Sequence, residues 1–181
     1  MIFEQTRNAL ERQDRTARRY ALVEKILGIF RTSFPELNFR ILDRVTAVNA
    51  QASILDNVRS VNLFGGLAYH REIGHDALVF ILLHETGHHL GQGCRLPWMQ
   101  ELACDCAADF WAVTEGQAQL QKSNSGFAIG PALRQIESAA NLKSRVSVKV
   151  GRPKCSFLSW ATRKRRLMDA KADVRATCGI I

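Results

Sequence analysis

Between Phe3 and Phe30 apolar residues recur at helical spacing. Phe3, Leu10, Ala17, Ala21, Ile26, Leu27 and Phe30 form a loose stripe, and five arginines between Arg7 and Arg19 face away from it. This predicts an amphipathic helix over residues 3–31. Pro35 closes it, because proline lacks a backbone donor and disfavours helix at the preceding residue. Over residues 37–48 the pattern changes to alternation, with Phe39, Ile41 and Val45 on one face, as expected of a strand or hairpin. A polar turn is expected over residues 49–57, followed by a strand at Val58–Phe64 that Gly65 and Gly66 end.

Residues 77–91 read ALVFILLHETGHHLG. Six apolar residues run directly into His84, so this is a helix buried on most of its circumference, with Asp76 as an N-terminal charge or cap and Gly91 at its C-terminus. After a loop over residues 92–97, alanine content and apolar spacing predict a second helix over residues 98–112. The run at residues 121–131 is a break. A helix at residues 133–142, a short strand at 146–150 and a basic, helix-compatible tail at 157–176 follow. The expected fold is α+β and mainly helical. A small, mostly antiparallel sheet from residues 37–64 packs on the two helices of residues 77–112, with N- and C-terminal helices as support. Residues 1–140 are the expected domain, and residues 141–181 a basic segment packed on it or extending it.

The chemistry concentrates in the buried helix. Residues four apart lie one above the other on a helix, so His84 and His88 can offer imidazole nitrogens to a single ion. Unpaired polar side chains in an apolar core cost a few kcal/mol, and metal coordination satisfies them. Zinc held by such ligands with one open position brings the pKa of its water to about 7, and the neighbouring Glu85 is placed to take the proton. On the second helix Glu101 is a candidate third ligand. Asp105, one turn further on, is a candidate to bond a ligand histidine N–H and fix its tautomer. His89 is expected at the surface, and His70 and His75 in a loop near the rim. The strand at Val58–Phe64 is read either as an edge that binds extended peptide through its main chain or as an interior strand.

Composition changes this picture in two places. At 181 residues with 46% hydrophobic and 23% charged side chains, the chain suits one globular domain, and its longest apolar run is far short of the roughly 20 residues that span a bilayer. Five cysteines at irregular spacing, with no apolar secretory segment at the N-terminus, predict a cytoplasmic protein without a disulfide scaffold. The net charge of +8 is uneven: residues 141–181 hold 11 Lys and Arg against 2 acids. Arg163, Lys164, Arg165 and Arg166 form its densest run. They read either as a solvated helix face or as a patch for nucleic acid, anionic membrane or an acidic partner.

The chain resembles the gluzincin zinc metallopeptidases, and among them the small minigluzincin group. The resemblance covers residues 58–112. It rests on Asn62-Leu63-Phe64-Gly65-Gly66, on the HExxH string His84-Glu85-Thr86-Gly87-His88, and on Glu101-Leu102-Ala103-Cys104-Asp105 as ExxxD. It implies one zinc ion held by His84, His88 and Glu101, Glu85 as general base, Asp105 orienting a histidine, and Asn62, Phe64 and Gly65 binding a peptide substrate. The family's downstream His or Tyr for the oxyanion has no counterpart, which leaves an arginine such as Arg134 or one from the tail. The residues from His84 to Gly91 are also similar to the metzincin pattern HExxHxxGxxH, whose last ligand position falls on Cys94. The expected activity is therefore a zinc-dependent endopeptidase. The alternative is a zinc-stabilised binding module whose tail, residues 151–181, contacts nucleic acid, membrane or an acidic protein.

Overall fold

In the computed structural model, which describes residues 12–140 and 159–169, the histidine-bearing helix is the element the others surround. In chain order the elements are α1 (Ala17–Ser33), β1 (Asn38–Leu42), β2 (Ala50–Leu55), β3 (Val58–Phe64), a single turn α2 (Gly65–Ala68), α3 (His75–Leu90), β4 (Arg95–Leu96) and β5 (Met99–Ala103). Then come α4 (Asp105–Trp111), a π-helical turn (Ala112–Gly116), α5 (Gln117–Gln121), α6 (Ile129–Ala139) and α7 (Trp160–Met168). The fold is α+β and mainly helical. Its sheet has the order β1-β3-β2, with β1 parallel and β2 antiparallel to β3, while β4 and β5 form a separate antiparallel ribbon. Among the described residues no helix is long and apolar enough to cross a membrane.

Every residue of α3 from Ala77 to His89 is buried. The helix packs against α4, α6, β2, β5 and α1. Burying a Val, Leu, Ile or Phe side chain contributes roughly 1.5–3 kcal/mol, so the run at residues 78–83 fixes α3 in the core by packing. Asp76, in the first turn of α3, accepts from the Ala128 N–H (3.1 Å). Gln135 of α6 accepts from the Gly74 and Ala77 N–H groups (3.0 and 3.3 Å). The site-bearing helix is thereby tied at its start to α6.

Several elements differ from the sequence reading. Helix α1 begins at Ala17, fourteen residues later than read, because Thr16 caps it by accepting from the Arg19 N–H (3.3 Å). Gln13 before it bridges to His70 as isolated strand pairing. Residues 3–11 of the expected helix lie outside the described residues, as do the expected strand at 146–150 and much of the basic tail. The expected polar turn at residues 49–57 contains β2. Its tip is Asp56 and Asn57, both at positive φ (50° and 62°), the left-handed pair of a tight hairpin. β3 is the central strand, so the edge that faces α3 belongs to β2.

The largest correction is the second helix, since residues 99–103 are strand and helix starts only at Asp105. β4 and β5 turn back on each other through Pro97 and Trp98, with Leu96 opposite Met99, and a helix cannot run through that turn. α4 then lies directly against α3. A Cβ on Gly87 would come within 2.7 Å of the Ala108 carbonyl oxygen and 2.9 Å of its Cα. Gly87→Ala gains up to about 1 kcal/mol of helix propensity, but the backbone of α4 must move, a cost of roughly 1–3 kcal/mol. Chemical denaturation of this variant is expected to show a net loss of stability; a stability equal to or above wild type would contradict the close packing.

Candidate metal centre

The centre forms where α3 and the start of α4 meet. His84 and His88, one turn apart on α3, point Nε2 atoms 3.1 Å from each other. Asp105 Oδ1, at the first residue of α4, lies 3.4 Å from His84 Nε2 and 3.7 Å from His88 Nε2. These three form the metal-compatible group among the described residues.

The partners behind the imidazoles fix their tautomers. His84 Nδ1 is 2.8 Å from Asp109 Oδ1, and His88 Nδ1 is 2.6 Å from the Ala103 carbonyl oxygen. Both partners only accept, so each Nδ1 carries a proton and each Nε2 presents a lone pair. Two lone pairs and a carboxylate oxygen then face one point in a buried site, an arrangement a cation resolves. The three edges of 3.1, 3.4 and 3.7 Å match the separation of about 3.4 Å expected between tetrahedral ligand atoms with bonds of about 2.0–2.1 Å. The donor set of two imidazoles and one carboxylate therefore fits a metal ion.

The electrostatics follow from the same contacts. Burial penalises the charge on His84, yet the carboxylates of Asp109 and Asp105 raise its pKa above the ordinary value. Burial, with His84 beside it, pushes His88 down to about 4. Burial works against Asp109 as well, but the Arg163 guanidinium and His84 hold its pKa near 2. Arg163 of α7 grips Asp109 with two bonds of 2.7 Å, Nε to Oδ2 and Nη2 to Oδ1. Beside the ligands, Glu85 is buried and its Oε2 accepts from the Ala52 N–H of β2 (2.8 Å).

Of the residues singled out in the sequence, His84, Glu85, His88 and Asp105 come together, and Glu101 does not. Glu101 is exposed on β5, outside the ligand group. Asp105 takes the ligand position expected of Glu101, and Asp109 takes the histidine-orienting position expected of Asp105. The pattern is shifted by four residues because the helix that carries it starts at Asp105. For Asp109 the sequence signal is the same i, i+4 spacing, Asp105-Cys106-Ala107-Ala108-Asp109. Asn62 lies in central β3, where its Nδ2 donates to Ser53 Oγ (2.8 Å), and Phe64 and Gly65 lie where β3 passes into α2. None of these three is on the open edge.

The remaining histidines also depart from expectation. His89 is 3% exposed, with Nε2 bonded to the Ser60 carbonyl oxygen (3.0 Å), so it is not a surface residue. His70 is buried, and its Nδ1 accepts from the Glu72 N–H (3.3 Å). His75 is the first residue of α3, nine residues and about 13 Å along the axis from His84, so it is remote from the rim. Cys94 and Cys106 each take part in a disulfide and Cys104 is free, against the expectation of reduced cysteines; Cys155 and Cys178 lie outside the described residues. A disulfide-bonded Cys94 offers no thiolate, which removes it as third ligand. Arg134 is exposed on α6, and Arg163 stands behind His84 on its Nδ1 side, away from the converging Nε2 atoms.

No family model, curated protein or solved structure matches the chain. The geometry separates two ligand sets. Asp105→Ala is expected to weaken metal binding by more than the 10–100-fold typical of losing an outer hydrogen-bond partner, while Glu101→Ala leaves it unchanged. Equilibrium dialysis against a metal-buffered solution reads both. Loss of binding in Glu101→Ala would return that residue to the site.

Proposed function

We propose that the chain is a zinc-dependent peptidase, an enzyme that hydrolyses peptide bonds with Glu85 as general base. The observation that carries the reading is the triangle of His84 Nε2, His88 Nε2 and Asp105 Oδ1, with edges of 3.1–3.7 Å, directly beside a buried glutamate. Nitrogen and carboxylate donors in this number suit zinc, which supplies Lewis acidity and lowers the pKa of water to about 7.

The chain's own residues supply the rest. Glu85 is buried on the same helix, and its carboxylate interacts electrostatically with both His88 and His84. The Ala52 N–H holds Oε2 in place (2.8 Å). From there Glu85 takes the proton of the attacking water and returns it to the leaving amine, which closes the proton balance of hydrolysis. An extended substrate finds its main-chain partner on β2. That strand is one of the two edges of the sheet, and its Ala52 N–H is bonded to Glu85, so peptide paired to the strand's other main-chain groups lies alongside Glu85.

For the competing reading, a binding module that works through its basic tail, two charges of the run are paired within the fold. Arg163 pairs with Asp109 and Lys164 with Glu137 (2.8 Å), while Arg166 Nη1 lies 3.3 Å from the neutral Cys106 Sγ. Arg165 is the exposed arginine of the run. Most of the tail's remaining charge lies outside the described residues.

The test is cleavage of a mixed peptide library by wild type and by Glu85→Gln. The amide keeps the size of the side chain but cannot take a proton. The variant is expected to retain zinc and to lose the 10²–10⁴-fold that a general base contributes. Equal cleavage by the two proteins, or none by zinc-loaded wild type, would reject the peptidase reading.

A further inference from the structure

The run Arg163–Arg166 sits on α7, and its most deeply set member reaches the back of the metal centre. α7 packs against α4 and α6. Leu167 enters the core, Trp160 Nε1 donates to Glu137 Oε1 (3.2 Å), and Lys164 bonds both oxygens of the same carboxylate (2.8 Å each). These contacts place Arg163 at 7% exposure against Asp109, itself 6% exposed. Asp109 Oδ1 is shared, at 2.8 Å from His84 Nδ1 and 2.7 Å from Arg163 Nη2, while Oδ2 is taken by Arg163 Nε at 2.7 Å.

A carboxylate held at both oxygens by a planar guanidinium cannot rotate about its Cβ–Cγ bond without breaking a charge-assisted hydrogen bond. The plane of the Asp109 carboxylate is therefore set by α7. That plane decides where Oδ1 stands, and Oδ1 aims the His84 ring. An ammonium in place of the guanidinium keeps the charge but loses the two-point grip.

We propose that Arg163 is a positioning residue that couples docking of the basic helix α7 to the metal affinity of the His84, His88 and Asp105 centre. The coupling passes through Asp109. It rests on the reading of that group as a metal site. Coupling between two equilibria is reciprocal, so an ion at the centre holds α7 in place as much as docked α7 favours the ion. The basic run is on this account part of the site's scaffold, and release of the ion loosens the segment that carries its charge.

The test uses the full chain and zinc alone, with affinity read by competition against a chromophoric chelator. R163M and R163K are expected to weaken zinc about 10–100-fold, with far-UV circular dichroism unchanged. In a D109N background R163M should add no more than about twofold, because its route is already cut. R165A, which removes the exposed charge of the run without touching Asp109, should stay within about twofold of wild type. In wild type, zinc should slow hydrogen exchange of the α7 amides, and in R163M it should not. Full affinity in R163K, an equal loss in R165A, or α7 exchange in wild type indifferent to zinc would overturn the coupling. If R163M fails to fold, R163K and the wild-type exchange experiment still decide. Zinc binding by wild type with unaltered R163 variants sinks the coupling alone; no zinc binding by wild type sinks the metal reading and the coupling together.

Discussion

The close approach of α3 and α4 at Gly87 is the constraint on which the site depends. With Ala108 backbone where a Cβ would stand, the two helices lie near enough for Asp105 and Asp109, one turn apart on α4, to meet His84. Asp105 meets it on the Nε2 side and Asp109 on the Nδ1 side. His88, one turn along α3, is served instead by the Ala103 carbonyl at the end of β5. One helix thus provides the imidazoles, and the strand-to-helix junction at Ala103 to Asp105 provides both an acceptor for one ring and a carboxylate for the ion.

The carboxylates that flank the two imidazoles are paired. The Asp109 carboxylate faces Arg163 and His84, and Asp105 faces the two imidazoles. A buried charge left alone costs several kcal/mol, so the cation from α7 is what makes a second buried carboxylate tolerable behind His84. Two charges of the basic segment thereby have a structural reason. Arg163 is the cation that α4 needs, and the neighbouring Lys164 fixes the same segment to Glu137.

The sequence made the mainly helical α+β class legible, and with it α3, β3 and the two histidines with Glu85, because a long apolar run and an i, i+4 pair are local signals. Local signals failed at residues 98–104. There alanine-rich helix and short strand share the same apolar residues, and only pairing with Arg95 and Leu96 decides for strand. The ligand assignment moved with that boundary. Glu101 and Asp105 have the right spacing, but Asp105 and Asp109 have it too, and helix geometry selects the second pair. Arg163 was visible as charge and not as a partner of Asp109, since 54 residues separate them. The sequence leaves β3 open between edge and interior for the same reason: strand order is set by long-range pairing.

Anomalous diffraction at the zinc edge from crystals grown with zinc reads the ligand set directly. One strong peak is expected, bonded to His84 Nε2, His88 Nε2 and a carboxylate oxygen of Asp105, with a position left open to solvent. A peak bonded to Glu101, a closed four-residue site, or no peak between α3 and α4 would contradict it.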